Sequence, residues 1–274
     1  MIYKTIPSSG ELLPVIGLGT WQSFDTKHDS DIINLSEIVS AWAEHGGRLI
    51  DSSPMYGKAE EAIGDITHQS RYGSELFYAT KVWAEGRQAG EKQIEDSFIK
   101  MKRKTIDLLQ IHNLVDWKTH LPFLKELKQA GKIRYIGLTH YTDRSHDQLV
   151  ELIKSEDIDF VQFNYSLFNR NAEKKKLLDT ALDRGVATII NRPFGEGSVL
   201  RNLSRSPLPE WVADLECSSW AGLILKYIIS HPAVTCVIPA TTSKQHILEN
   251  VKAGSEELLT EVSRNKIVEY LKSI

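Results

Sequence analysis

Short runs of aliphatic and β-branched residues alternate with amphipathic stretches along almost the whole chain, and the early runs end about thirty residues apart. The runs are Val15–Thr20, Arg48–Asp51, Phe77–Val82, Ile106–His112, Ile133–Leu138, Phe160–Asn164, Val186–Asn191 and Val234–Pro239. Several are apolar throughout, the pattern of parallel strands buried on both faces. Between them, Ile32, Leu35, Val39 and Trp42 fall on one helical face, and so do Leu121, Leu124 and Leu127. Gly131 and Gly185 follow the last apolar turns of their stretches, where helices commonly stop. Eight β-then-α units of this size predict an α/β fold, a (β/α)8 TIM barrel. An open, doubly wound sheet gives the same local pattern. The lack of a Gly-x-Gly-x-x-Gly turn after the first run counts against it.

Residues outside the repeat have their own reading. Ile2–Ile6 and Leu12–Val15 flank Ser8-Ser9-Gly10, which predicts an N-terminal β-hairpin closing the bottom of the barrel. Extra helices are expected near the C-terminal end, over Leu208–Glu216 and Glu261–Leu271. No linker-like segment divides the 274 residues, so one domain over 1–274 is expected.

Composition narrows the function classes. Apolar residues make up 41% and charged residues 25%, and the net charge is -3 with no basic stripe, which argues against nucleic acid as a partner. Two cysteines, Cys217 and Cys236, exclude a disulfide scaffold, and no Cys-x-x-Cys pair suggests a metal site. Reduced thiols fit a cytoplasmic protein. The opening segment lacks the charged and apolar regions of a signal peptide. The apolar runs are strand-sized, so no membrane span is expected.

The chemistry gathers at the ends of the runs. Arg48-Leu49-Ile50 leads to Asp51, Phe77-Tyr78-Ala79-Thr80 to Lys81, and Leu108-Leu109-Gln110-Ile111 to His112. In a parallel barrel these ends line the mouth where active sites lie. Tyr56 follows Asp51 closely enough to fold back over that mouth. Each residue alone has a bland reading: a helix cap for Asp51, a surface lysine, a core histidine, a packed tyrosine. Together they reverse it, because a lysine at a buried strand end needs an acid, and the neighbouring strand supplies one.

The chain resembles the aldo-keto reductase family over essentially its whole length. The resemblance is carried by Gly17-Leu18-Gly19-Thr20-Trp21, Asp51-Ser52-Ser53-Pro54-Met55-Tyr56-Gly57, Ala79-Thr80-Lys81-Val82 and Gln110-Ile111-His112. Gly131–Gly137 and Ile238-Pro239-Ala240-Thr241-Thr242-Ser243 add to it. It implies reduction of aldehydes and ketones with hydride from a nicotinamide and a proton from Tyr56. Lys81 would lower the phenol pKa, Asp51 would hold Lys81 charged, and His112 would orient the carbonyl.

The same resemblance places the cofactor. Gly19, Thr20, Trp21 and Asp51 lie at its nicotinamide end. Thr139, His140 and Gln162 would hold the amide, with Thr139-His140 standing where the family has serine-asparagine. Asn191, Arg192, Pro193 and Phe194 replace the family's stacking tyrosine segment, and Gly195 and Gly197 belong to the expected pyrophosphate loop. Thr241, Thr242, Ser243, His246, Glu249 and Asn250 lie at the adenine end. Ala240 and His246 stand where many members carry a lysine and an arginine. The family favours NADP(H), with NAD(H) as the alternative. Trp21, Phe24, Tyr56, Trp83, His112 and Trp117 are the expected substrate residues, forming an open site for a small-molecule carbonyl. A monomer is expected. Two other readings stay open: a Schiff-base aldolase using Lys81, and a non-catalytic, cofactor-sensing subunit.

Overall fold

A computed structural model describes residues 1–203 and 206–272. Two short strands open the chain, β1 (Tyr3–Thr5) and β2 (Leu12–Pro14), paired antiparallel across Ser8-Ser9-Gly10 as expected. Eight strands follow in one sheet: β3 (Leu18–Gly19), β4 (Leu49–Asp51), β5 (Phe77–Val82), β6 (Ile106–His112), β7 (Ile133–Thr139), β8 (Phe160–Asn164), β9 (Ala187–Asn191) and β10 (Cys236–Val237). Each pairs in parallel with its sequence neighbours. Helices between the strands form the outer layer. No helix among the described residues is long and apolar enough to cross a membrane.

The sheet closes on itself. Ile16 bridges Val237, the Gly17 amide donates to the Val237 carbonyl at 2.8 Å, and the Val237 amide donates to Val15 at 2.9 Å. The approach is tight: a Cβ on Gly19 would lie 2.7 Å from the Ile238 carbonyl oxygen. Closure rests on a bridge and a few hydrogen bonds, so β3 and β10 are shorter than the runs Val15–Thr20 and Val234–Pro239 predict. The expected helix over Leu208–Glu216 is a 3-10 turn at Glu210–Leu215, and the C-terminal helix spans Glu261–Lys272.

Alternation along the strands sorts the side chains into two cores. Outward residues such as Ile50, Tyr78, Leu109, Ile111, Leu138 and Val161 meet the helices. Inward residues Leu49, Phe77, Leu108, Tyr135 and Phe160 fill the barrel, and the hairpin supplies Ile6 and Leu13 to plug its floor. Above this apolar filling the same inward rows continue as Asp51, Lys81, Gln110 and Gln162, all buried. Gly137 leaves the room: a Cβ there would lie 2.9 Å from Gln110 Cγ. The period of two that makes the core therefore also stacks a polar layer on top of it.

Candidate active site

Lys81 is fully buried at the end of β5, and its Nζ donates to Asp51 Oδ2 and to the Ser52 carbonyl, each at 2.6 Å. Asp51 Oδ1 accepts from Gln110 Nε2 at 2.8 Å and from Gln162 Nε2 at 3.0 Å. The carboxylate is thus held by three side chains from three other strands. Tyr56 sits on a turn in which its amide donates to the Ser53 carbonyl at 3.0 Å. Gly57 follows at φ +60, and a Cβ there would strike the Asp25 carboxylate. That turn folds Tyr56 back, with its ring centroid 5.0 Å from Lys81 Nζ, close enough for the ammonium charge to act on the phenol. The His112 ring stands edge-on to Tyr56, with centroids 5.9 Å apart. Asp51, Tyr56 and His112 line one cavity of about 820 Å³, a size suited to a small molecule.

The electrostatics follow from depth. Burial works against the Lys81 ammonium, but Asp51 and then Tyr56 outweigh it and hold its pKa above the ordinary lysine value. Burial raises the Tyr56 pKa, with Lys81 pulling it down and Asp51 pushing it up. Lys81 acts on the phenol with the expected sign, lowering its pKa, and burial is the larger effect, so the net direction is a rise. Tyr56 is a protonated phenol at neutral pH. Burial, then the Lys81 and His140 charges, push His112 down to about 3, so its imidazole is neutral.

A family model described as "Aldo/keto reductase family" matches residues 15–271. The chain belongs to that family. This reductase is 25% identical to the L-glyceraldehyde 3-phosphate reductase of Escherichia coli (strain K12), over 92% of this chain and 87% of the relative. It is 29% identical to the glyoxal reductase of Bacillus subtilis (strain 168), again over 92% and 87%. Among solved structures, an aldo-keto reductase from Klebsiella pneumoniae in complex with NADPH superposes with a TM-score of 0.82 at 23% identity, over 98% of this chain and 95% of the other. The reductase is a NAD(P)-dependent oxidoreductase with a (β/α)8 barrel.

Most of the anticipated residues meet at this mouth. Gly19, Thr20, Trp21, Trp83, Thr139 and Gln162 line the cavity, as do Asn191, Arg192, Pro193, Phe194 and Gly197. Thr241, Thr242, His246, Glu249 and Asn250 line its far end. Lys81 is buried behind Asp51 and does not line it. Five others do not line it either. Phe24 is fully buried, because the amides of Ser23 and Phe24 both donate back to the Thr20 carbonyl, a turn that tucks the ring into the core. Trp117 packs against the core from the first turn of its helix. His140 turns toward its own loop, where Nδ1 accepts the Tyr141 and Thr142 amides at 2.9 and 3.2 Å. Gly195 lies at a turn off the wall, and Ser243 caps the helix Lys244–Ala253 by accepting the His246 amide at 3.4 Å.

The site also contains residues that the sequence reading passes over. Tyr141 lines the cavity beside His140, and its ring carries the Arg192 guanidinium at 5.2 Å. Met55 adds an apolar wall. Gln110 could have been found from alternation, since it lies two residues before His112 on the same face of β6. Ser53 carried no such signal, because its partner His112 comes from a distant strand.

Proposed function

We propose that this reductase converts aldehydes and ketones to alcohols, with Tyr56 as the proton donor. The observation that supports it is the buried chain Asp51–Lys81–Tyr56 beside a neutral His112 on one cavity. When bound, the nicotinamide supplies the hydride to the carbonyl carbon. Tyr56, protonated at neutral pH, gives its proton to the developing alkoxide. Lys81, held charged by Asp51, stabilises the phenolate left behind. His112 donates a hydrogen bond to the carbonyl oxygen and shares its growing charge.

The residues present fit the cofactor. Asn191 Oδ1 is buried without a partner, an acceptor suited to the carboxamide amine. Asn191, with Thr139 and Gln162, would hold that amide. Arg192 and Gly197 would face the pyrophosphate, and Thr241, Thr242, His246, Glu249 and Asn250 the adenosine. We assign NADP(H) as the preferred cofactor, although Ala240 and His246 supply less positive charge than a lysine and an arginine would. Trp21, Trp83 and Met55 form an apolar wall suited to neutral, small or aromatic aldehydes. The two enzymes named above for glyoxal and L-glyceraldehyde 3-phosphate also take aldehydes. We place the chain in the cytoplasm, as its two free, buried cysteines suggest, and take it as a monomer of one domain. Its exposed Ile33, Ile99 and Val262 lie on three different helices.

The Schiff-base alternative is disfavoured, because Lys81 is fully buried and locked as an ammonium by Asp51. The test is NADPH oxidation with benzaldehyde and with glyoxal. Turnover lost in Tyr56→Phe and retained in Trp117→Phe is expected. A chain that binds NADPH tightly but oxidises it with no aldehyde is a sensing subunit, and the proposal fails.

A further inference from the structure

His112 stands alone among the four central groups in having two ways to present itself. Its imidazole is neutral, held so by burial and the Lys81 charge, so it carries one N–H. If that proton is on Nε2, the ring offers a donor; if it is on Nδ1, Nε2 is a bare acceptor. A carbonyl oxygen gaining negative charge is helped by the first form and repelled by the second. The partner of Nδ1 decides between them.

That partner is Ser53. Its Oγ lies 3.1 Å from His112 Nδ1 and is itself fully buried. The Met55 amide donates to the same Oγ at 3.3 Å. The hydroxyl already acts as an acceptor there, and His112 Nδ1 is the acceptor the described contacts offer to its own hydrogen. Were Nδ1 protonated, Oγ would receive two donors while its hydrogen lay enclosed without a partner. An unsatisfied buried donor of this kind disfavours a state on the order of tenfold or more. The geometry points to Ser53 as a positioning residue that keeps the His112 proton on Nε2, facing the cavity.

Ser53 also ties two parts of the site together. Its carbonyl accepts the Tyr56 amide at 3.0 Å, shaping the turn that carries the phenol, while its hydroxyl orients the imidazole. Ser53→Ala keeps the first contact and deletes the second, together with the Met55 amide's bond to Oγ, so the tautomer readout is what separates the two losses. The inference rests on the reductase reading for its consequence, but not for the tautomer itself.

The first measurement is a nitrogen–proton correlation spectrum of the intact, 15N-histidine-labelled protein at neutral pH, with His112 identified by its loss in His112→Gln. A protonated Nε2 and a bare Nδ1 are expected; a protonated Nδ1 overturns the inference whatever the enzyme does. In Ser53→Ala the signals should move toward a mixture of the two forms. With benzaldehyde, kcat and kcat/KM of Ser53→Ala should fall together by about tenfold, the sign of an interaction made in the transition state. NADPH affinity should hold, and Ser53→Thr should restore the rate. Unchanged kcat in Ser53→Ala, or a loss of rate with an unchanged tautomer, overturns the inference. A wild-type protein with protonated Nε2 and no aldehyde turnover would sink the reductase reading and leave the Ser53 assignment standing.

Discussion

Two lysines at opposite ends of the barrel show what separates its floor from its mouth. At the floor, Lys4 Nζ donates to the carbonyls of Ile229, His231 and Val234 at 2.7, 2.9 and 2.7 Å. At the mouth, Lys81 donates to a carboxylate and a carbonyl, with the Tyr56 ring centroid 5.0 Å away. Both ammonium groups are held by hydrogen bonds. Yet burial and the Arg264 charge lower the Lys4 pKa to about 8, whereas Asp51 raises that of Lys81. Carbonyl dipoles satisfy donors, but a full negative charge is needed to hold a buried cation. The mouth also leaves polar atoms without partners, Asn113 Oδ1 and Asn191 Oδ1. At the floor the chain's own carbonyls take up the Lys4 ammonium, while at the mouth two cavity-lining asparagines keep acceptors without partners.

The contrast is broken most directly by removing each lysine. Lys81→Met strands a buried Asp51 carboxylate and should destabilise the fold by roughly 3–5 kcal/mol in urea titrations. Lys4→Met removes a strained charge along with its hydrogen bonds, and should change stability at neutral pH by only about 1 kcal/mol. It should also abolish a gain in stability between pH 8 and 10.5, the window in which the unfolded chain binds the extra proton. Equal losses from the two substitutions would erase the distinction between floor and mouth.

Tyr56→Phe comes next. It should lower kcat for benzaldehyde on the order of a thousandfold, with NADPH affinity measured by fluorescence nearly unchanged. Near-normal turnover would remove Tyr56 as the acid.

The histidine of the mouth should show itself in acid. His112 has a folded pKa of about 3, below the unfolded value of 6.5, so its contribution to stability is complete above pH 6.5. It is lost as the pH falls toward 3, since the unfolded chain then takes up the proton first. From pH 7 to 5 the loss should be about 2 kcal/mol, and His112→Gln should remove that share. His231, held at about 4 by burial, adds to the slope in the same sense and should survive the substitution. A slope unaltered in His112→Gln would mean that the mouth histidine is not desolvated.

The smallest effect lies at the cavity's far end. Ala240→Lys adds a cation beside Thr241 and should tighten NADPH binding several-fold over NADH, by about 1 kcal/mol, as read by titrating both. No change in the ratio would place the 2′-phosphate elsewhere.

Much of this arrangement was legible in the residues. Asp51, Lys81 and His112 end apolar runs, and alternation along each run sends them inward with no knowledge of the fold. Ser8-Ser9-Gly10 marked the hairpin by its turn chemistry. Phe24 was misread, because an aromatic in a loop looks the same whether the turn points it out or in. The downward pull of Lys81 on Tyr56 was legible, while the opposing effect of the phenol's depth was not.

Local pattern, then, determined the number and order of strands, the facing of their side chains and the identity of the groups at the mouth, since each depends on neighbours a few residues away. The tertiary structure alone decided closure through Gly17 and Gly19 against Val237, Ile238 and Pro239. It alone brought Gln110 and Gln162 to Asp51 across 59 and 111 residues, and Ser53 to His112 across 59. Those contacts, and the desolvation that sets each proton, arise from packing density in space, which a linear pattern does not carry.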